Sequence, residues 1–268
     1  MAMQFPASPS VGQTFSPTAG VVYRWSGLAW YLITPGALSS ALLGQPNGVA
    51  SLDGAGQVPA SQLGNVVTTL PTRTVLTAGA GTYTTPVGAR QLRTRMVGGG
   101  SGGGGGNNTA LASNAPDTTF GTLVAGGARG GNVSNPGLGG VPIGGDVNLK
   151  GGLGSQGEYS ASGVAGASGG SGAASVFGGS GCGSYNGAGL PALPNTGAGG
   201  GGGGIGSSSV LSSAAGGSAG GYLEKIIDTP AASYSYSVAS ASPAQVGGVD
   251  GFTGGNGGSG IIIIDEFY

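Results

Sequence analysis

GGGSGGGGG, residues 98–106, opens a glycine field that runs to Gly221 and closes with GAGGGGGGIG (197–206) and GGSAGG (216–221). Roughly two-thirds of the chain's 65 glycines lie here. The only charged residues in the field are Asp117, Arg129, Asp146, Lys150 and Glu158. Two readings compete. A glycine-rich polar chain buries little apolar surface and behaves as a flexible linker. Alternatively, extended left-handed helices of the polyproline II type, lacking Cβ atoms, approach closely and hydrogen-bond backbone to backbone. Collagen meets that need with a strict every-third glycine, which this field lacks. Three features favour order: single apolar residues recur throughout (Leu111, Phe120, Leu123, Val133, Ile143, Leu149, Val176, Ile205), charge is sparse, and strand signals bracket both ends. The opposing entropy is about 1–2 kcal/mol per residue and largest for glycine.

Outward from the field, residues 74–77 (TVLT) and 81–84 (GTYT) read as strands joined by a turn at Gly79–Gly81, and Pro86 ends the second. Gln91–Val97 alternates, with Leu92, Thr94 and Met96 on one face and Arg93, Arg95 and Val97 on the other. The two arginines sit on the wet face of a strand, where they could also grip an anionic ligand. Beyond the field, Leu223–Ile227 and the alternating SYSYSV (233–238) read as strands, the latter placing Tyr234, Tyr236 and Val238 on one face. A second glycine-rich loop (247–260) leads to Ile261–Ile264, a β-branched run expected to be covered on both faces. A strand from 74–97 is its expected neighbour. The field is then one long insertion (98–221) in a β domain, with Val97 and Tyr222 emerging side by side.

Residues 1–33 read as a small β unit in which a two-residue Ser26-Gly27 connection joins apolar runs, bringing Trp25 and Trp30 together as most of its core. TPGALSSALLG (34–44) has helix punctuation: Thr34 as N-cap, Pro35 at N1 and Gly44 at the end. Residues 45–64 predict a small hairpin around Asp53-Gly54-Ala55-Gly56, with Val49, Leu52, Val58 and Leu63 flanking it. Such thin modules need burial from association between chains. The domain plan is therefore 1–33, a 34–70 connector and oligomerisation segment, and 71–268. The fold class is mainly β with extended polyglycine II-type helices, the C-terminal domain being β-sandwich-like.

With 6% charged residues and a net charge of −1, no basic face for nucleic acid is expected. The chain has no histidine, which removes imidazole catalysis, histidine metal sites and imidazole switching. Neither a metal nor a cofactor is expected. Cys182, the single cysteine, reads as a small buried side chain. MAMQFPASPS lacks a basic region followed by an apolar core, so no signal peptide is expected, and no apolar run is long enough to insert in a membrane. GxGxxG matches are expected by chance at this glycine density, and Lys150 lacks the P-loop context. The only adjacent carboxylates, Asp265-Glu266, point to opposite faces of a strand and cannot flank one glycosidic bond. No enzyme is expected.

Three segments carry a family resemblance. FPASPSVGQTFSPTAGVVYRWSGLAW (5–30) looks like a short module of phage tail and fibre proteins, and GQPNGVASLDGAGQVPASQLG (44–64) looks like a tail-fibre linker repeat. Residues 74–268, from TVLTAGAGTYTTP through YSYSV to GGSGIIIIDEFY, are similar to the glycine-rich domain that ends many bacteriophage tail-fibre and tail-tip proteins. The resemblance implies a virion tail component, made in the host cytoplasm and assembled as a homotrimer. Residues 1–64 would join other phage tail proteins, and the C-terminal domain would bind a host outer-surface glycan or outer-membrane protein as an adhesin. A purely structural virion protein and a bacterial glycine-rich surface protein are the alternatives. Candidate contact residues are Tyr159, Phe177, Tyr185 and Asn186, with 190–194 (LPALP), aromatic and amide groups suited to stacking and edge hydrogen bonds. Each of them either meets a ligand or plugs the seam between glycine segments.

Overall fold

The computed structural model describes residues 4–33, 50–59, 70–133, 135–160, 166–206 and 211–268, and their regular elements are all β-strands. The chain divides into two units, Met1–Thr68 and Thr69–Tyr268.

In the first unit, β1 (Thr14–Thr18), β2 (Val21–Trp25) and β3 (Trp30–Leu32) form an antiparallel sheet in that order. Pro17 is tolerated because β1 is an edge strand whose register slips between Phe15 and Thr18. The β2–β3 connection has four residues, Ser26–Ala29, where two were expected: Trp25 pairs with Trp30, and the Ser26 amide donates to the Ala29 carbonyl at 3.0 Å. Gly27, at φ +98°, makes this longer turn possible. Trp25 and Trp30 lie 5.7 Å apart, but they are only part of the aromatic cluster. Phe5 stacks on Trp30 at 5.4 Å and meets Tyr23 edge-on at 5.1 Å, and Phe15 joins both Phe5 and Trp30. No described residue of this cluster is fully buried.

The helix expected over 34–44 lies outside the described residues, as do Val49 and Leu63. The expected turn at Asp53 is present: its Oδ1 accepts the amides of Ala55 and Gln57, at 2.8 Å and 2.9 Å. No strand flanks the turn among the described residues, and Leu52 is exposed.

The second unit holds two larger sheets. β4 (Thr72–Leu76), β14 (Ile261–Phe267), β6 (Gln91–Val97), β12 (Tyr222–Ile227) and β9 (Val147–Leu149) lie side by side in that order. The other sheet runs β5 (Ala80–Thr84), β13 (Ser233–Ser237), β7 (Thr118–Phe120), β8 (Leu123–Ala125). A two-residue-long pair, β10 (Tyr159–Ser160) and β11 (Leu211–Ser212), stands apart. All pairings are antiparallel. One hydrophobic cluster joins the two larger sheets, with Leu92, Met96, Leu223, Ile262 and Ile264 from one and Tyr83, Phe120, Leu123 and Ala125 from the other. Tyr234 and Tyr236 pack against it, as the alternation in 233–238 requires.

Several expectations change. β4 and β5 do not pair as a hairpin: Gly79, at φ +76°, carries the chain from one sheet to the other. In β14, Ile262 and Ile264 are fully buried while Ile261 and Ile263 are half-buried, so the isoleucine run is not covered equally on both faces. β4 and β6 both pair with it. The glycine field is more than an insertion, because β7, β8 and β9 arise within it and join the two sheets. Its ends do meet, with Val97 opposite Tyr222 and the Gly98 amide bonded to the Gly221 carbonyl at 3.0 Å.

Between and beyond these strands the field forms a mesh of backbone hydrogen bonds. Residues 98–106, 197–205 and 213–221 are buried without interruption, unlike a solvated linker. Bonds recur every third residue. Gly98, Ser101 and Gly104 donate to Gly221, Ser218 and Ala215, while Gly100, Gly103 and Gly106 donate to Gly258, Gly255 and Phe252. Segment 197–205 shows the full pattern. Gly199, Gly202 and Ile205 donate to 167–173, Gly200 and Gly203 to 101–104, and Gly201 and Gly204 to 187–190. Its carbonyls accept from 214–220, 252–258 and 181–184. The segment thus bonds six neighbours in all, three through its amides and three through its carbonyls. At its glycines this leaves no room for a side chain: a Cβ on Gly201 would sit 1.9 Å from the Cys182 carbonyl oxygen.

Cys182 itself is exposed, contrary to the burial expected from its residue type. Its neighbours explain why. Gly181 and Gly183 face the mesh, where a Cβ would meet the Leu190 and Gly169 oxygens at 2.0 Å and 1.9 Å, so the side chain between them points outward.

Candidate recognition surface

The register of the mesh gives it two ends. Gly98, Gly221 and Gly197 lie at the end next to the sheets. Gly106, Ile205, Phe252 and Ser213 lie at the other, where successive segments turn back. The turns at this far end contain Asn107-Asn108, Asn132 and Asn135, Glu158-Tyr159, Tyr185-Asn186 and Val246–Gly251.

Asn107, Asn186 and Asp250 take left-handed backbone conformations at φ +49°, +48° and +58°, which a short polar side chain tolerates best. Asn107 and Asn108 then tie their turn to the next one, their Nδ2 groups donating to the Val249 and Val246 carbonyls at 2.8 Å each. Between 158 and 168, the Glu158 carboxylate accepts the Ser168 amide at 2.9 Å. Ser213 Oγ lies 2.5 Å and 2.7 Å from the Glu158 and Ser168 carbonyl oxygens. These bonds fix the backbone beside the exposed side chains of Tyr159, Val246 and Val249, and Tyr185 and Leu111 are exposed as well. A shallow cleft of about 180 Å³ opens beside Tyr159, lined by Val133, Gln156, Glu158 and Ser212. The named turns carry Glu158 and Asp250 and no lysine or arginine.

Three of the four residues singled out in the sequence, Tyr159, Tyr185 and Asn186, therefore share this end. Phe177 does not. It sits in the tight turn Ser175–Gly178 beside the sheets, its ring meeting Tyr222 edge-on at 6.0 Å. Leu190 and Leu193 are exposed, but 190–194 runs back toward the sheet end, with Ala192 buried and bonded to Asn256. Sequence reasoning misses Asn107, Asn108, Val246, Val249 and Asp250. The available signal is an Asn or Asp placed where a glycine run stops, ready to turn the chain.

The arginine face of β6 is committed internally. Arg93 Nε lies 2.7 Å from Glu224, and Asp265 is held by Arg73 Nε at 2.5 Å and by Arg95 at 2.9 Å. Burial pushes the Asp265 carboxyl up, yet the two guanidiniums outweigh it and hold the group below the usual carboxylate range. Glu224 is likewise held low, chiefly by its hydrogen bond from Arg93. Glu266 turns to the opposite face, where Thr72, Thr74 and Tyr83 donate to it. Burial, then that bond to Glu266, raises the Tyr83 hydroxyl pKa. The two adjacent carboxylates thus serve separate networks. Among the described residues no group of three or more Cys, Asp or Glu side chains is placed to hold a metal ion, and no helix is long and apolar enough to cross a membrane.

The chain matches no family model, no curated protein and no solved structure.

Proposed function

We propose that this chain is a bacteriophage tail-fibre or tail-tip protein, whose first unit joins the tail and whose glycine-rich second unit binds a receptor on the host surface. In this reading the mesh is a bundle of polyglycine II-type helices, three residues per turn, continuous with a β-sandwich-like base. Support for the helices comes from the three-residue recurrence of the bonds and from the six neighbours of segment 197–205. The observation that carries the receptor-binding reading is the far end of the mesh. There, Tyr159 stands exposed beside a backbone pinned by the Glu158, Ser168 and Ser213 bonds. Tyr185 stands exposed between Ser184 and Gly187, whose carbonyls accept the Gly169 and Gly204 amides. The backbone flanking both rings is held before binding, so less ordering entropy is lost. Exposed aromatic faces beside asparagine amides suit sugar rings and loop backbones alike.

The test is competition. Purified full chain, preincubated with bacteria that the parent virions infect, should block adsorption. The Tyr159→Ser, Tyr185→Ser double variant should lose that block while keeping its unfolding temperature. Equal blocking by the double variant removes this end as the contact surface, and no blocking by either protein favours a purely structural role.

A further inference from the structure

The chain contains three Asn-Gly dipeptides, at 47–48, 186–187 and 256–257. Two lie among the described residues, and their surroundings differ in the features that govern attack of a backbone amide on a side-chain amide. At Asn256 the side-chain Oδ1 accepts the Ala244 amide at 2.8 Å, and the following amide, Gly257, is bonded to the Ser242 carbonyl at 2.9 Å. Both reacting groups are held apart by the mesh. Among the described residues, the exposed Asn186 side chain makes no hydrogen bond and no group accepts the Gly187 amide. The Gly187 carbonyl accepts the Gly204 amide at 3.0 Å. Having no side chain, Gly187 leaves its nitrogen open to approach. Asn135 offers a further contrast, because Pro136 follows it and has no amide to attack with.

We propose that Asn186 is a site of spontaneous deamidation, an intrinsic modification site at the far end of the mesh. The Gly187 nitrogen attacks Asn186 Cγ, and the C–N bond to the side-chain amide breaks. Ammonia leaves, carrying away the proton that the Gly187 nitrogen loses, and a five-membered succinimide closes. Water then opens the ring at either carbonyl, giving aspartate or isoaspartate at 186. No oxidant or reductant is required. The product adds a carboxylate to turns that already carry Glu158 and Asp250 without a basic partner, and the isoaspartate form also inserts an extra backbone carbon beside Tyr185.

Incubation of the folded full chain at mildly alkaline pH, followed by proteolysis and peptide mass analysis, tests this. The peptide holding Asn186 should gain one mass unit and split into two chromatographic isomers. Asn256 should convert at least about fivefold more slowly, since its amide must first give up a hydrogen bond worth roughly 1 kcal/mol. In denaturant the difference should collapse. Asn186→Gln should abolish conversion at that position. Equal rates at 186 and 256 in the folded chain overturn the proposal, as does a difference that survives denaturation.

Discussion

A methyl group at Gly201 would lie 1.9 Å from the Cys182 carbonyl oxygen, and one at Gly203 would lie 1.9 Å from that of Phe252. The obstacle in each case is main chain rather than a pliable side chain, so the neighbouring segment must move. Gly201→Ala should therefore destabilise the second unit by about 3 kcal/mol or more, measured by chemical denaturation. Gly152→Ala is the control, because its Cβ would meet Ala173 at an ordinary 3.6 Å. That change should lie within about 1 kcal/mol of the parent, with lost freedom in the unfolded chain favouring it. Asp265 gives a second residue-scale outcome. Its pKa is depressed in the fold, so its ion pairs contribute stability above the unfolded value, near pH 4, and lose it as pH falls through the lower folded value. Asp265→Asn should accordingly lower the unfolding temperature clearly at pH 7, and the gap to the parent should narrow below about pH 4.

Among the elements, those with side-chain periodicity are legible in the amino-acid sequence. β6 alternates Leu92, Thr94 and Met96 inward, β13 turns Tyr234 and Tyr236 toward the core, and β14 announces itself by four isoleucines. β7, β8 and β9 are not legible, since three residues establish no period and glycine surrounds them. The mesh hides its regularity for another reason. A central segment such as 197–205 faces neighbours on every side and is nearly all glycine, whereas a peripheral one such as 181–190 keeps side chains on its outer face. No fixed glycine spacing serves both. The burial difference along β14 sets a contrast: Ile262→Ala should cost about 2–5 kcal/mol and Ile263→Ala distinctly less, both read from denaturant midpoints.

For the molecule as a whole, amide exchange should separate mesh from tip. Amides of 98–106, 197–205 and 213–221 should exchange as slowly as those of β6, and those of Asn186, Gly187 and Asp250, for which no acceptor is found among the described residues, much faster. Uniformly fast exchange in the three buried segments would contradict the bonding pattern. Part of the candidate surface is legible because Tyr159, Tyr185 and Asn186 are the conspicuous side chains of a bland stretch. Phe177 is equally conspicuous, yet it packs on Tyr222, and only the register assigns it to the opposite end.

Chain direction within the larger sheet has a mechanical consequence. Thr72 opens β4 and pairs with Glu266, far from the mesh, while Leu76 pairs with Ile262 beside it. A load applied between residue 71 and the far end of the mesh would therefore run along β4 and tend to slide it past β14. The ladder between them is loaded in shear, all its bonds sharing the force at once.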